Sequence, residues 1–152
     1  MTATHFSGPL VAGDKLTGDP SGYGPNQGYA LLEQSVTLTQ NSTNAVSSTF
    51  YVPAGCRLVD FLVDVLTTFD SATSATLSIG TAAAGTQYAS GVNAKTAGRT
   101  RPTFTAAQLA KMNGESVLGV ADAVVPTVVA TITPVGATTA GYVRVTAIYA
   151  QL

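Results

Sequence analysis

Two aspartates in the most apolar run of the chain are the first residues whose type and spacing could do chemistry. The run is CRLVDFLVDVLTTFDSATSATLSIGT, residues 56–81, and Asp60 and Asp64 lie inside it. On a helix, a spacing of four would bring both carboxylates to one face, as an acid–base pair or a shared metal requires. On a strand, four residues span roughly 13 Å, whereas paired glycosidase carboxylates lie about 5 to 9.5 Å apart. The chemistry therefore depends on the period of the run.

The period favours a strand over residues 57–67. A helix would scatter the β-branched and aromatic residues of the run around its surface, and such residues also disfavour a helix. A strand separates the run into an apolar inner face and a mixed outer face. The inner face is predicted to hold Val59, Phe61, Val63, Val65 and Thr67, and the outer face Leu58, Asp60, Leu62, Asp64 and Leu66. The two aspartates are then too far apart to cooperate, and we expect them to keep the outer face soluble or to meet an arginine of a partner.

The other candidate residues also argue against an enzyme. His5 is the only histidine, and a Ser-His-Asp system would need its segment to reach across the domain. Cys56 is the only cysteine, so we expect a buried thiol, with a bond between two chains as the alternative. Asp70 lies in a turn beyond the strand and is expected to bond nearby backbone amides. Too few carboxylates lie close together for a calcium loop, and no phosphate-loop glycine pattern is present. We therefore predict no catalytic residue, no metal site and no cofactor.

The basic residues Arg99 and Arg101, in GRTRPTF, form a small loop with two interpretations. The loop is either a solvated turn or a contact with acidic residues of a neighbouring subunit, because arginine suits bidentate pairing with carboxylates. Only 10% of the residues are charged and the net charge is −1. Without a basic stripe we expect no nucleic-acid partner. Since largely neutral surfaces tend to be covered by partners, we expect a subunit of an assembly.

The elements that must position these residues are strands. The chain holds 23 Thr and 23 Ala but no Trp, and threonine favours strands. Short runs of period two, bounded by Gly, Pro, Asn or Ser, predict an all-β domain, either a β-sandwich or a barrel. One short helix, AAQLAKM, is predicted between an N-cap at Thr105 and a stop at Asn113-Gly114. The predicted inward residues outside the 57–67 run are Val36, Leu38, Phe50, Val52, Ala75, Leu77, Ile79, Val128, Ala130, Ile132, Val143, Val145, Ala147 and Tyr149.

Residues 1–32 differ from the rest, and we predict an extended N-terminal arm there, followed by a β-sandwich domain over residues 33–152. The arm holds six of the 15 glycines and three of the seven prolines, and it shows neither period. Its apolar residues are more frequent than in disordered segments, so we expect them to dock on a neighbouring subunit or on the arm's own domain. The arm residues expected to make inter-subunit contacts are Phe6, Pro9, Leu10, Val11, Tyr23 and Tyr29.

The N-terminal sequence MTATHFSGPL lacks the basic residues and the apolar stretch of a signal peptide. No apolar run approaches the roughly 20 residues that span a bilayer. We therefore expect synthesis in the cytoplasm and no membrane partner.

Two parts of the sequence carry a resemblance to virion proteins of tailed bacteriophages. HFSGPLVAG, residues 5–13, is similar to the opening of head and virion proteins in which a Phe-Ser-Gly-Pro segment begins an extended arm. From FYVPAGCRLVDFLVDVL to the closing GYVRVTAIYAQL, the body resembles small phage β-sandwich proteins that decorate, or cement, capsids. The resemblance spans most of the chain, and it rests on the style and order of the strands rather than on a functional motif.

The resemblance implies a homotrimeric sandwich or jelly-roll subunit on the capsid surface of a virion. Its partner would be the major capsid protein, whose neighbouring subunits it would clamp through the arm and through Arg99 and Arg101. The alternative is a head-fibre, neck or tail module that binds a receptor or a glycan. Such sites often use exposed tryptophan, which this chain lacks. A major capsid protein itself would be much longer and would contain a long spine helix.

Overall fold

The computed structural model describes residues 11–12, 28–29, 31–53, 56–114 and 127–151. The strands are β1 (Val11–Ala12), β2 (Gly28–Tyr29), β3 (Leu31–Thr39), β4 (Val46–Tyr51), β5 (Cys56–Thr67), β6 (Ser74–Gly80), β7 (Ala89–Asn93), β8 (Gly98–Thr100), β9 (Thr127–Val135) and β10 (Tyr142–Gln151), and the helix is α1 (Ala106–Gly114). The first sheet has the order β3-β10-β5-β8, and the second has the order β4-β9-β6-β7.

The strands of the two sheets pair in a nested way. β3 pairs with β10, β4 with β9, β5 with β8 and β6 with β7, all antiparallel. The ladders between β10 and β5 and between β9 and β6 complete the sheets. Counted from β3, the eight strands have the order 1-8-3-6 in one sheet and 2-7-4-5 in the other. This is a jelly roll, so the predicted all-β class is confirmed.

The core lies between the two sheets, and the predicted alternation lines it. Rings at its centre pack on one another, with centroids 6.4 Å apart for Phe50 and Phe61 and 6.3 Å apart for Phe61 and Tyr88. Such aromatic pairs contribute about 0.5–1.5 kcal/mol each beyond the burial of their area. Val36 is partly buried against this core. The remaining predicted inward residues outside β5 are all buried: Leu38, Phe50, Val52, Ala75, Leu77, Ile79, Val128, Ala130, Ile132, Val143, Val145, Ala147 and Tyr149.

The predicted faces of β5 are right in the middle of the strand and wrong at its ends. Along β10 the register passes from Asp60 directly to Leu58, so Val59 is the extra residue of a β-bulge. Leu58 is therefore buried, while Val59 is 38% exposed instead of facing the core. A second irregularity near the end of the strand precedes Thr67, which is exposed as well. The residues between the two irregularities face inward as predicted: Phe61, Val63 and Val65.

A loop over residues 81–87 lies against the outer face of the second sheet. Thr131 of β9 is buried, and the backbone N–H of Ala84 donates to its hydroxyl at 2.9 Å. The loop approaches so closely that a Cβ on Gly80 would lie 2.5 Å from the carbonyl carbon of Gly85. Glycine at position 80 therefore permits this covering.

The predicted helix is present as α1, and its predicted cap is confirmed. The N–H of Gln108 donates to the Thr105 hydroxyl at 3.2 Å, and the N–H of Thr105 donates to Oε1 of Gln108 at 2.9 Å. This reciprocal pair is a capping box. Nε2 of Gln108 also donates to the carbonyl of Thr86 at 3.1 Å, which ties the helix to loop 81–87. The helix packs on β5.

Two short pieces of the predicted arm are described, and they pair with each other. Val11 lies opposite Tyr29, so the chain reverses its direction between β1 and β2. The first long strand begins at Leu31, two residues before the predicted domain start at residue 33. Four of the predicted arm contacts lie outside the described residues: Phe6, Pro9, Leu10 and Tyr23.

Candidate functional site

The first sheet carries the arginines of this chain. The sequence has four of them, with Arg57 in β5, Arg99 in β8, Arg101 directly after β8 and Arg144 in β10. Within the described residues, no lysine lies in a strand of this sheet. Protein–protein interfaces are enriched in arginine and depleted in lysine. We call the outward-facing group of Asp60, Asp64, Arg99, Arg101 and Arg144 the arginine face.

The strand register places Asp64 between two arginines. Asp64 lies opposite Arg144 on β10 and opposite Arg99 on β8, and directly opposite residues share one face of a sheet. Nε and Nη2 of Arg99 donate to Oδ1 and Oδ2 of Asp64 at 2.6 and 3.0 Å. Nε and Nη2 of Arg144 donate to Oδ2 at 3.1 and 2.6 Å. The two guanidinium groups cover the carboxylate, and Asp64 is only 5% exposed.

This geometry fixes the charge of Asp64. Hydrogen bonds from Arg99, and next those from Arg144, hold the pKa of the Asp64 carboxyl well below its usual range. The same pairing raises the pKa of Arg99. A general acid or base needs a pKa near the working pH, so Asp64 is unsuited to proton transfer. Its role is to orient two arginines whose side chains remain 61% and 44% exposed.

Asp60 makes a separate and more exposed ion pair. Its Oδ2 lies 3.2 Å from Nη1 of Arg101, whose side chain is 68% exposed. Its Oδ1 accepts the backbone N–H of Phe61 at 2.8 Å. The register from Asp60 to Asp64 is unbroken, so the strand separates them by roughly 13 Å, as expected. The arginines that these carboxylates meet belong to the same chain.

Aliphatic side chains surround the arginine face. Leu62 and Ile148 are half-buried on the same side of the sheet, and Leu66 at the end of β5 is 53% exposed. The hydroxyl groups of Ser35 and Thr146 share a hydrogen bond of 2.7 Å beside them. The surface is therefore a mixture of arginine, carboxylate, aliphatic and hydroxyl groups.

Asp70 joins two loops that are distant in sequence. Its carboxylate accepts the backbone N–H groups of Thr139 at 2.8 Å and Ala140 at 3.1 Å, and also the Thr139 hydroxyl. These bonds, the hydroxyl first, lower the pKa of Asp70 to about 2. As predicted, Asp70 bonds a nearby amide, that of its own backbone, but its stronger partners are 69 and 70 residues away. Asp70 is a structural clamp between the β5–β6 and β9–β10 connections.

A second surface feature is a groove of about 200 Å³ between α1 and β5, which we call the α1–β5 groove. Leu109 of α1 is 50% exposed and Val59 of the bulge is 38% exposed. Leu58 and Met112 are buried, and Arg57 completes the lining. The groove is therefore apolar, with one cation beside it.

A third feature is a polar depression of about 300 Å³ beside Arg99, at the turn between β7 and β8. Asn93, Thr96 and Thr100 contribute its polar side chains.

Among the residues that the structure describes, no group of three His, Cys, Asp or Glu side chains could hold a metal ion. Cys56 is buried and not part of a disulfide, and burial raises the pKa of its thiol.

Arg99 and Arg101 both belong to the arginine face, where each pairs with a carboxylate of its own chain. Their predicted contact with a neighbour stays a prediction. Val11 and Tyr29 are described only as a backbone pair. Sequence reasoning missed the role of Arg144, because only the register of β10 against β5 shows that it shares Asp64 with Arg99. It also missed the α1–β5 groove, which exists because of the bulge at Val59.

Comparisons of the chain with protein-family models, with curated proteins and with solved structures found no match. The resemblance to phage virion proteins therefore stays a prediction. In the described part of the chain, no helix is both long and apolar enough to cross a membrane.

Proposed function

We propose that this chain is a structural virion protein that decorates a tailed-phage capsid and bridges neighbouring major capsid subunits. The observation that carries the proposal is the arginine face, where Asp64 holds Arg99 and Arg144 side by side among aliphatic groups. Asp60 and Glu33 lie on the same face and balance the charge of the three arginines. The face therefore suits a partner surface that carries both acidic and basic side chains.

The jelly-roll fold supports the proposal as an analogy. Double-sheet jelly rolls are found in viral capsid domains and also in lectins, and fold alone does not determine function. The low charge of the chain and its apolar arm are the further features that favour an assembly subunit over an enzyme. In this account the arm and the arginine face contact different parts of the lattice, and the subunits associate as a homotrimer.

The proposal is tested with capsids of the encoding phage that lack this protein. The full chain should bind them, whereas a chain without residues 1–25 should keep its circular dichroism spectrum and lose binding. The double variant Arg99→Ser, Arg101→Ser should also bind less, with Lys95→Ser as the control for loss of one nearby charge. A truncated chain that still decorates capsids would contradict the role of the arm.

The solution mass of the full chain, measured by light scattering, should be that of a trimer.

The alternative function is a receptor- or glycan-binding module of a head fibre, neck or tail. The polar depression beside Arg99 favours it, since its hydroxyl and amide groups could bond a sugar. A glycan array separates the two functions. Specific hits that disappear with Asn93→Ala would favour the module, and an array without hits would favour decoration.

A further inference from the structure

The α1–β5 groove combines an apolar lining with a strand edge that has no partner strand among the described residues. There, β8 pairs with β5 only at Val63–Val65, and α1 also packs on β5, while the N–H of Phe61 donates to Asp60. Val59 and Leu109 stand exposed along this edge. A strand edge beside apolar side chains is suited to an extended peptide, which bonds the edge through its backbone and places alternate side chains in the lining.

The path of the chain brings its N-terminal residues to the same end of the sheet. Leu31 lies opposite Ala150, and Ala150 lies opposite Arg57, so Leu31 and the groove are two strand spacings, roughly 10 Å, apart. Val11 pairs with Tyr29, which is two residues before Leu31. Ten extended residues reach roughly 33 Å. Residues 1–10, which precede Val11, can therefore reach the groove of their own domain.

The sequence of this segment fits the lining. MTATHFSGPL contains no Asp, Glu, Lys or Arg, so its docking would bury none of these charged side chains. In an extended conformation Phe6, Gly8 and Leu10 lie on one side. Pro9 lacks an N–H, and proline is tolerated in strands at a sheet edge.

We propose that residues 1–10 of the same chain dock in the α1–β5 groove of the free subunit. A tether this short gives the segment an effective concentration on the order of millimolar, which favours its own groove over that of a second copy. The proposal concerns the isolated protein, and it does not depend on a role in virions.

The test uses the full-length protein with a photo-crosslinking residue in the groove, Leu109→p-benzoylphenylalanine. A mixture of unlabelled and ¹⁵N-labelled protein is irradiated, digested with trypsin and analysed by mass spectrometry. The first basic residue is Lys15, so trypsin releases residues 1–15 as one peptide. We expect this peptide to be crosslinked to the α1 peptide of the same isotopic label. Phe6→Ser in the same background should lower the yield several-fold without changing the circular dichroism spectrum.

The control is Leu66→p-benzoylphenylalanine, since Leu66 is equally exposed but lies at the far end of β5. It should give no crosslink to residues 1–15. Three results at position 109 would each overturn the proposal. These are a crosslink of mixed label, which indicates a second copy, crosslinks only to peptides other than 1–15, such as 112–144 with the groove residue Met112, and the absence of any crosslink.

Discussion

Asp64 and Asp60 occupy the same face of one strand, yet their surroundings give them different contributions to the stability of the fold. Asp64 is covered by two guanidinium groups, while Asp60 has one exposed arginine. Removing a buried charge leaves its partners unsatisfied, whereas an exposed ion pair contributes little. The burial of Asp64 between two guanidinium groups explains why this one carboxylate holds the arginine face together.

We expect Asp64→Asn to lower the free energy of unfolding by about 1–3 kcal/mol, because it leaves two arginines adjacent without their anion. Asp60→Asn is the matched control, and its cost should stay below about 1 kcal/mol. Urea titrations of both variants measure the difference. Equal losses would show that Asp64 does not organise the face.

A second prediction concerns acid stability. The pKa of Asp70 falls to about 2 on folding from an ordinary value of 3.8. A carboxyl whose folded pKa is lowered stabilises the protein above its unfolded pKa, and this contribution is lost as the pH falls toward the folded pKa. Thermal unfolding temperatures should therefore decrease between pH 4 and pH 2, and less steeply in Asp70→Asn. An unchanged slope in that variant would contradict the clamp.

Period-two alternation predicts which side chains of a strand face outward, but it does not predict which side chains they contact. The alternation placed Asp60 and Asp64 outward and set their separation, because both follow from local strand geometry. It could not supply Arg144 or Thr139 as partners. Those contacts depend on register between strands and loops roughly 70 to 80 residues apart, and a single sequence does not encode register in its periodicity.

Among the secondary-structure elements, too, some features were predictable from the sequence and others were not. The helix and its cap were predictable because Thr105 and Gln108 form a local capping box. The bulge at Val59 was not, since an uninterrupted apolar run gives no signal for one extra residue. That single residue moves Leu58 into the core, turns Val59 outward and so produces the α1–β5 groove.

The capping box at the start of α1 leads to a prediction about the stability of the protein. Thr105→Ala should destabilise the protein by about 1 kcal/mol, because the hydroxyl satisfies the N–H of Gln108 at the helix start. Thr103→Ala is the control, an exposed threonine outside α1. Its unfolding midpoint in urea should stay close to that of the parent. A comparable loss in both would mean that the cap contributes nothing specific.

At the scale of the whole molecule, nested pairing of eight strands closes a jelly roll around one core. The first sheet presents the arginine face outward, and the same sheet begins at Leu31, where the N-terminal residues join the domain. A decorating subunit would need such a combination of a broad interface and a reaching segment. Because a lattice protein accompanies every repeat of the shell, the proposed role requires a high and fixed copy number.

The most direct test of the proposed capsid decoration is the copy number of the chain in purified virions of the phage that, on this proposal, encodes it. Quantitative mass spectrometry with labelled peptide standards gives its ratio to the major capsid protein. Capsid decoration predicts a fixed ratio comparable with the number of shell subunits, unchanged when tails are removed. A handful of copies that leave with the tail or fibre fraction, or the absence of the chain from virions, would contradict the account.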